Sequence, residues 1–184
     1  MADFTSELTD THQAFIKRQH MFFVATAPGT GGRINLSPKG LDTFRILDGS
    51  RVAYLDLTGS GNETSAHIHD NGRITLMFCS FEGSPLIMRI YGAGQVIQPG
   101  ESDWPAWAQH FTRLPGTRQI VAVNVESVQT SCGYAVPEYA YQGDRNTLLN
   151  WAEKKGEEGL ETYRQTKNIQ SIDGLPSGYC PASK

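Results

Sequence analysis

A turn rich in glycine, serine and threonine, residues 58–65 (TGSGNETS), is the stretch of this sequence best suited to bind an anion. It follows an apolar run with strand character, residues 51–57 (RVAYLDL), and precedes a segment with helical character. Where a strand ends in such a turn and a helix begins, backbone N–H groups converge and favour negative charge. The pattern therefore predicts a phosphate site. It also fits a strand end followed by a helix N-cap that needs no ligand.

The side chains of this turn add hydrogen-bonding groups but no positive charge. Asn62, Thr64 and Ser65 supply an amide and two hydroxyls. The lysine of a Walker loop and the glycine spacing of a dinucleotide-binding loop are both absent. Lys39, in the sequence Ser-Pro-Lys-Gly, is a candidate source of charge, although it also fits a solvated lysine at the tip of a turn.

Two histidines, His67 and His69, lie near Glu63 and Asp70 and could in principle bind a metal. Residues at i and i+2 of a helix point to different faces, and this segment has helical character. We therefore predict no metal site. The histidines also lack the sequence context of a nucleophile elbow or a Cys-His pair, so hydrolase chemistry is not expected.

The composition is that of an ordinary globular domain. The chain has 184 residues, 39% of them hydrophobic and 19% charged, and a formal net charge of -3. This charge argues against nucleic-acid binding, and no apolar run approaches the roughly 20 residues that cross a bilayer. Three cysteines far apart in sequence, with no CxxC pair, do not suggest a disulfide framework. The polar, acid-containing residues 1–13 do not resemble a secretory signal, so we expect a cytosolic protein.

The elements that must position the turn are mostly strands. Runs rich in β-branched and aromatic residues predict strands at residues 21–27, 33–37, 43–47, 51–57, 73–81, 86–97 and 119–130. The first four are joined by short turns that leave no room for a crossover helix, which indicates an antiparallel meander or barrel. Gly92 and Gly94, inside a long strand, predict a bulge or bend.

Four segments have helical patterns: residues 9–19, 60–71, 101–114 and 144–167. Ser60 and Glu63 have the spacing of a capping box at the start of the second. Trp104, Trp107 and Phe111 recur at helical spacing in the third and are interpreted as packing residues. We therefore predict one mainly-β domain, an antiparallel barrel of six or more strands at about 21–130, a helical extension at about 137–170 and a tail at 171–184.

The order of these segments resembles a known family. The strings MFFVATA, INLSPKG, TFRILD, VAYLDLTGSG, RITLMFCSFEG and IMRIYGAGQVI, over residues 22–128, are similar to the pyridoxamine 5′-phosphate oxidase-like proteins, which are flavin-binding split β-barrels. The segments VQTSCGYAVP and SIDGLP are similar to one branch of that family.

The resemblance implies a homodimer with flavin mononucleotide (FMN) at the subunit interface and a small-molecule substrate. It places residues 34–39 beside the flavin ring, with Lys39 where the oxidases keep a lysine, and the phosphate at residues 59–65. No catalytic residue and no metal ligand is assigned. The residues implied to bind the cofactor are Asn35, Ser37, Lys39, Thr58, Gly59, Ser60, Asn62, Thr64 and Ser65.

This sequence departs from the family at the phosphate turn. Glu63 and Thr64 stand where the oxidases have an Arg-Lys pair, and a carboxylate facing a phosphate is repulsive unless it points away. Either Lys39, Arg45 or an arginine of a partner chain supplies the charge, or FMN binds weakly or not at all. The carboxyl-terminal Trp and Arg motif of the oxidases is not recognisable, which argues against pyridoxamine phosphate as substrate.

Three functions therefore remain open at this point. The first is an FMN-dependent oxidoreductase that transfers hydride or electrons to or from a small organic substrate. The second is a non-catalytic protein that binds a flavin, the deazaflavin F420 or haem. The third is a cofactor-free dimeric interaction module.

Overall fold

The computed structural model describes residues 2–181, and a single antiparallel sheet of eight strands forms its centre. The strands are β1 (Asp3–Thr5), β2 (Phe22–Thr26), β3 (Asn35–Lys39), β4 (Phe44–Ile46), β5 (Arg51–Leu57), β6 (Arg73–Cys79), β7 (Ile87–Ile97) and β8 (Thr117–Ser131). They are ordered β3-β2-β6-β7-β8-β5-β4, and β1 pairs with β8. The helices are α1 (Asp10–Ile16), α2 (Glu63–Asn71), α3 (Trp104–Ala108) and α4 (Thr147–Lys167). The predicted mainly-β, antiparallel class with peripheral helices is confirmed.

The strand β5, which leads into the turn 58–65, is buried on both faces of the sheet. Tyr54 points into the larger hydrophobic cluster, while its neighbours Ala53 and Leu55 belong to a second cluster on the other face. Successive side chains of a strand point to opposite faces, so both faces of β5 must be covered. The predicted packing role of the aromatic segment is confirmed, because Trp104, Trp107 and Phe111 pack against the second cluster.

The predicted bend in the long strand is a β-bulge. The register of β7 with β8 shifts between Tyr91 and Gly92. A Cβ added to Gly92 would lie 2.1 Å from the carbonyl oxygen of Asn124, so only glycine fits at this crossing.

Several predicted boundaries were wrong. The strand expected at 33–37 lies at Asn35–Lys39, and the short strand β1 was not predicted. The helix at 101–114 is reduced to the five residues of α3, and α4 is interrupted at Gly156, whose φ of 66° and ψ of 170° are not helical. The last three residues of the predicted tail, 182–184, lie outside the described residues.

The predicted capping box of Ser60 and Glu63 was also wrong. The N-cap of α2 is Asn62, which makes no side-chain capping bond, because its amide is used elsewhere. A capping box occurs instead at α1, where Thr9 Oγ1 accepts from the backbone N–H of His12 and His12 Nδ1 accepts from that of Thr9. Within residues 2–181, no helix has the length and apolar character needed to cross a membrane.

Candidate functional site

The turn 58–65 begins at the end of β5 with a buried threonine. Thr58 is 1% exposed, and its hydroxyl donates to the carbonyl oxygen of Gly116 at 2.9 Å. The same hydroxyl oxygen accepts from Nε of Arg164 at 2.8 Å, which anchors α4 to the turn. Thr58 is therefore part of the packing between β5, β8 and α4.

A buried ionic cluster lies beneath the turn. Asp56 Oδ2 is 2.6 Å from Nη2 of Arg118, and Asp56 Oδ1 is 2.7 Å from Nζ of Lys39. Arg118 also donates to the carbonyl oxygen of Gly61 at 2.9 Å. Burial acts to raise the pKa of Asp56, but Arg118 and Lys39 outweigh it and hold that pKa well below its usual range. Asp56 is thus a carboxylate that neutralises the two nearest cations.

Two amide side chains connect this cluster to the start of α2. Gln119 Nε2 donates to Asp56 Oδ2 and to Asn62 Oδ1, both at 2.9 Å. Asn62 Nδ2 in turn donates to the carbonyl oxygen of Asn168 at 3.4 Å. Because both ends of the Asn62 amide are engaged, this side chain faces the protein interior.

The strand β3 lies at an edge of the sheet, with Asn35, Ser37 and Lys39 on one face. Asn35 Nδ2 donates to Thr64 Oγ1 at 3.0 Å, and Ser37 Oγ donates to Asn35 Oδ1 at 2.8 Å. The alternate residue Leu36 is 63% exposed on the opposite face. The polar face of β3 is therefore in direct contact with the first turn of α2.

The chain's own carboxyl-terminal segment covers the other side of the turn. We call residues 168–180 the C-terminal clip. Asn168 Nδ2 donates to the carbonyl oxygen of Gly59 at 3.1 Å, and Ser65 Oγ donates to that of Ser177 at 2.6 Å. The backbone N–H of Ile172 donates to both carboxylate oxygens of Glu63, at 3.0 and 3.1 Å. Glu63 thus points toward the clip.

The clip also reaches the start of β3. Asp173 accepts from the backbone N–H of Arg33 at 2.6 Å and forms an ion pair with its guanidinium. The hydrogen bond from that backbone N–H lowers the pKa of Asp173, with a smaller contribution from the guanidinium. The clip therefore places one carboxylate at Arg33, just before β3, and holds a second, that of Glu63, at the start of α2.

The predicted site residues come together in space, but they are engaged to different extents. Lys39, Thr58, Asn62, Thr64 and Ser65 all hydrogen-bond within the chain. Gly59 accepts from the clip, and the side chain of Ser60 is exposed. Sequence reasoning missed Arg118, Arg164 and the clip. The signal available for the ionic cluster was Asp56, a charged residue inside the otherwise apolar strand pattern of residues 51–57.

The other candidates from the sequence, a source of charge and two possible metal ligands, contact other residues of the chain. Arg45 is paired with Asp42 at 2.6 Å. His67 is buried with Nδ1 3.0 Å from Thr26 Oγ1, and His69 Nδ1 contacts the carbonyl oxygen of Ser65 at 2.8 Å. Among residues 2–181 there is no group of three or more His, Cys, Asp or Glu side chains arranged to hold a metal ion.

Comparisons with known proteins agree on one family. Residues 8–132 match the family model described as pyridoxamine 5′-phosphate oxidase. The pyridoxamine 5′-phosphate oxidase family protein ustO of Aspergillus flavus is 38% identical to this chain over an alignment of 195 residues. The alignment covers 96% of this chain and 78% of ustO.

Solved structures agree on the fold. A variant of HupZ from Group A Streptococcus superposes with a TM-score of 0.54 at 26% identity, over 67% of this chain and 99% of that chain. A protein of Lactobacillus delbrueckii, described as a pyridoxamine 5′-phosphate oxidase, gives a TM-score of 0.52 at 22% identity, over 67% and 94% of the two chains. The architecture is thus a split barrel, and the chain belongs to the pyridoxamine 5′-phosphate oxidase family.

Proposed function

We propose that this protein is a flavin-dependent oxidoreductase, in which a flavin held along β3 exchanges hydride or electrons with a small organic substrate. The observation that carries the proposal is the polar face of β3, which ends at Lys39, whose side chain is 24% exposed. A flavin supplies hydride chemistry at N5 and accumulates negative charge on reduction, so a nearby cation and backbone donors stabilise the reduced ring. Membership of the family adds support.

The residues along β3 fit the ring of a flavin. As an edge strand, β3 has β2 as its strand partner and leaves backbone N–H and C=O groups along its other edge. Such groups match the alternating donors and acceptors on the pyrimidine side of the ring. The side chains of Asn35 and Ser37 offer further polar contacts, and Lys39 holds the positive charge at the strand end.

The turn does not fit the phosphate of FMN. Its buried side chains are already hydrogen-bonded within the chain, and the carboxylates of Glu63 and Asp173 lie at the start of α2 and at Arg33, just before β3. A phosphate would meet negative charge at the positions that the resemblance assigned to it. FMN as the particular flavin is therefore supported by the resemblance alone.

A homodimer with the cofactor at its interface is part of the proposal. Ile34, just before β3, is 78% exposed and Leu36, on β3, is 63% exposed, so a second copy would bury apolar surface at this edge. A cytosolic location is proposed with it. Light scattering of the purified protein tests the dimer, and a monomer at micromolar concentration would contradict a shared site.

The test of the cofactor is the visible spectrum of the purified protein before and after incubation with riboflavin or FMN and desalting. A retained flavin band supports the proposal, and turnover of a reduced nicotinamide with an acceptor then separates an oxidoreductase from a binding protein. If no flavin band is retained, the proposal fails. Titration with F420 and with haem would then test the alternative cofactors before a cofactor-free interaction module is considered.

A further inference from the structure

The carboxylates around the turn 58–65 bear on which flavin this site accepts, an inference that rests on the proposed function. We propose that Glu63 and Asp173 make the site selective for a flavin without a phosphate, such as riboflavin, over FMN. The two residues act as specificity determinants: they hold the positions where a phosphate would otherwise find its positive partners.

The first of these positions is the start of α2. The N-terminal end of a helix carries partial positive charge and unpaired N–H groups, which is why phosphates bind there. In this chain, Glu63 is the first residue of α2 and has its own carboxylate at that end. The bond from the N–H of Ile172 fixes this carboxylate in place.

The second position is the start of β3. The backbone N–H and the guanidinium of Arg33 are donors that suit an oxyanion, and both are occupied by the carboxylate of Asp173. The side chain of Asp173 is only 16% exposed, whereas that of Arg33 is 67% exposed. The chain thus provides its own anion to the exposed cation of Arg33.

Three further cations near the turn are also engaged. Lys39 and Arg118 share the carboxylate of Asp56, and Arg164 donates to Thr58 and to the carbonyl oxygen of Thr117. A phosphate dianion would therefore approach two carboxylates, and these three cations are already paired within the chain. A ribityl chain that ends in a neutral hydroxyl has no such penalty.

The proposal is tested by the ratio of two dissociation constants, those of riboflavin and FMN, measured by flavin fluorescence at a physiological salt concentration of about 0.15 M. The two ligands share the ring and ribityl chain and differ in the phosphate. The wild-type protein should bind riboflavin at least as tightly as FMN. In the variant with both Glu63→Gln and Asp173→Asn, FMN affinity should rise about tenfold while riboflavin affinity changes less than about twofold, because each amide keeps a hydrogen-bond acceptor but loses the charge.

A matched control is Glu126→Gln, which removes the same charge far from the turn. Glu126 is exposed on β8 beyond the residues that pair with Arg51, so the length of β5, about 20 Å for its seven residues, separates it from Thr58. This distance exceeds the Debye length of about 8 Å at physiological salt. The ratio of the two constants should not change in this variant.

The outcomes separate this inference from the proposed function. FMN that binds wild type more than about tenfold tighter than riboflavin overturns the inference and leaves the flavin proposal intact. If neither flavin binds, the proposed function fails and the inference fails with it. Circular dichroism shows which variants are folded. If the ratio of the two dissociation constants stays at the wild-type value in the double variant and in each folded single variant, Glu63 and Asp173 do not determine the selectivity.

Discussion

The carboxylate of Asp56 and the guanidinium of Arg118 form a buried ion pair directly beneath the turn 58–65, with side chains only 2% and 4% exposed. A buried pair is costly to break because the remaining charge has no partner and no water. This pair ties β5 to β8 and, through Arg118, reaches the carbonyl oxygen of Gly61 and the side chain of Asn168. The turn is thus held on one side by this ion pair and on the other side by the clip.

Asp56→Asn should therefore destabilise the protein by about 3–5 kcal/mol, since it leaves Arg118 and Lys39 without their carboxylate. Urea unfolding followed by circular dichroism measures this loss. The control is Glu157→Gln, which breaks an exposed pair with Arg113 and should cost no more than about 1 kcal/mol. Equal losses in the two variants would contradict a structural role for the buried pair.

The pH dependence of the unfolding free energy should also show the contribution of Asp56. The folded-state pKa of Asp56 is depressed, so the stability it contributes is present above the unfolded pKa of about 3.9 and is lost as the pH falls toward the folded value. The difference in unfolding free energy between wild type and Asp56→Asn should shrink as the pH is lowered from about 5 to about 3. A difference that stays constant over this range would show that folding does not lower the pKa of Asp56.

The strands and the position of the turn could be predicted from the sequence, because alternation of side chains and short Gly- and Pro-containing turns are local signals. The bulge at Gly92 could be predicted for the same reason. The clip could not, because its bonds join single polar residues such as Ser65 and Ser177 across more than a hundred positions, with no periodicity to reveal them. The orientation of Glu63 was missed because a capping box requires only local spacing, whereas its partner, Ile172, is distant in sequence.

Asn168→Ala should loosen the clip and the turn together. Asn168 is fully buried, donates to the carbonyl oxygen of Gly59 and accepts from Arg118, so its removal leaves buried polar groups unpaired at a cost of about 1–3 kcal/mol. Amide hydrogen exchange should become faster in residues 59–65. Ile169→Ala, at a neighbouring position that is 47% exposed, is the control and should leave exchange in the turn unchanged. Unchanged exchange in Asn168→Ala would mean that the turn is stable without the clip.

Gly178→Ala should displace the end of the clip from α2. A Cβ at position 178 would lie 2.3 Å from Nε2 of His69, whose ring is bonded to the carbonyl oxygen of Ser65. We expect a loss of about 1–3 kcal/mol from this overpacking, in addition to the strain of a positive φ. Gly174→Ala is the matched control, because position 174 also has a positive φ but nothing within 4 Å of the added Cβ. If thermal unfolding shows no larger loss for Gly178→Ala, the contact with His69 does not hold the clip.

Lys39→Met should separate the structural and the proposed redox roles of the lysine. Methionine keeps an unbranched apolar stem near Tyr54, whose ring centroid is 5.8 Å from Nζ, but it removes the charge that faces Asp56. Because Arg118 still pairs with Asp56, we expect a folded protein that is less stable by about 1–2 kcal/mol. With riboflavin bound, the midpoint potential should fall by about 30 mV or more, equivalent to about 1.4 kcal/mol for a two-electron couple, because the reduced ring loses a nearby cation. Lys154→Met, on the exposed face of α4, is the control for loss of charge. A potential that is the same in Lys39→Met and wild type would place the flavin away from the end of β3, whatever the change in stability.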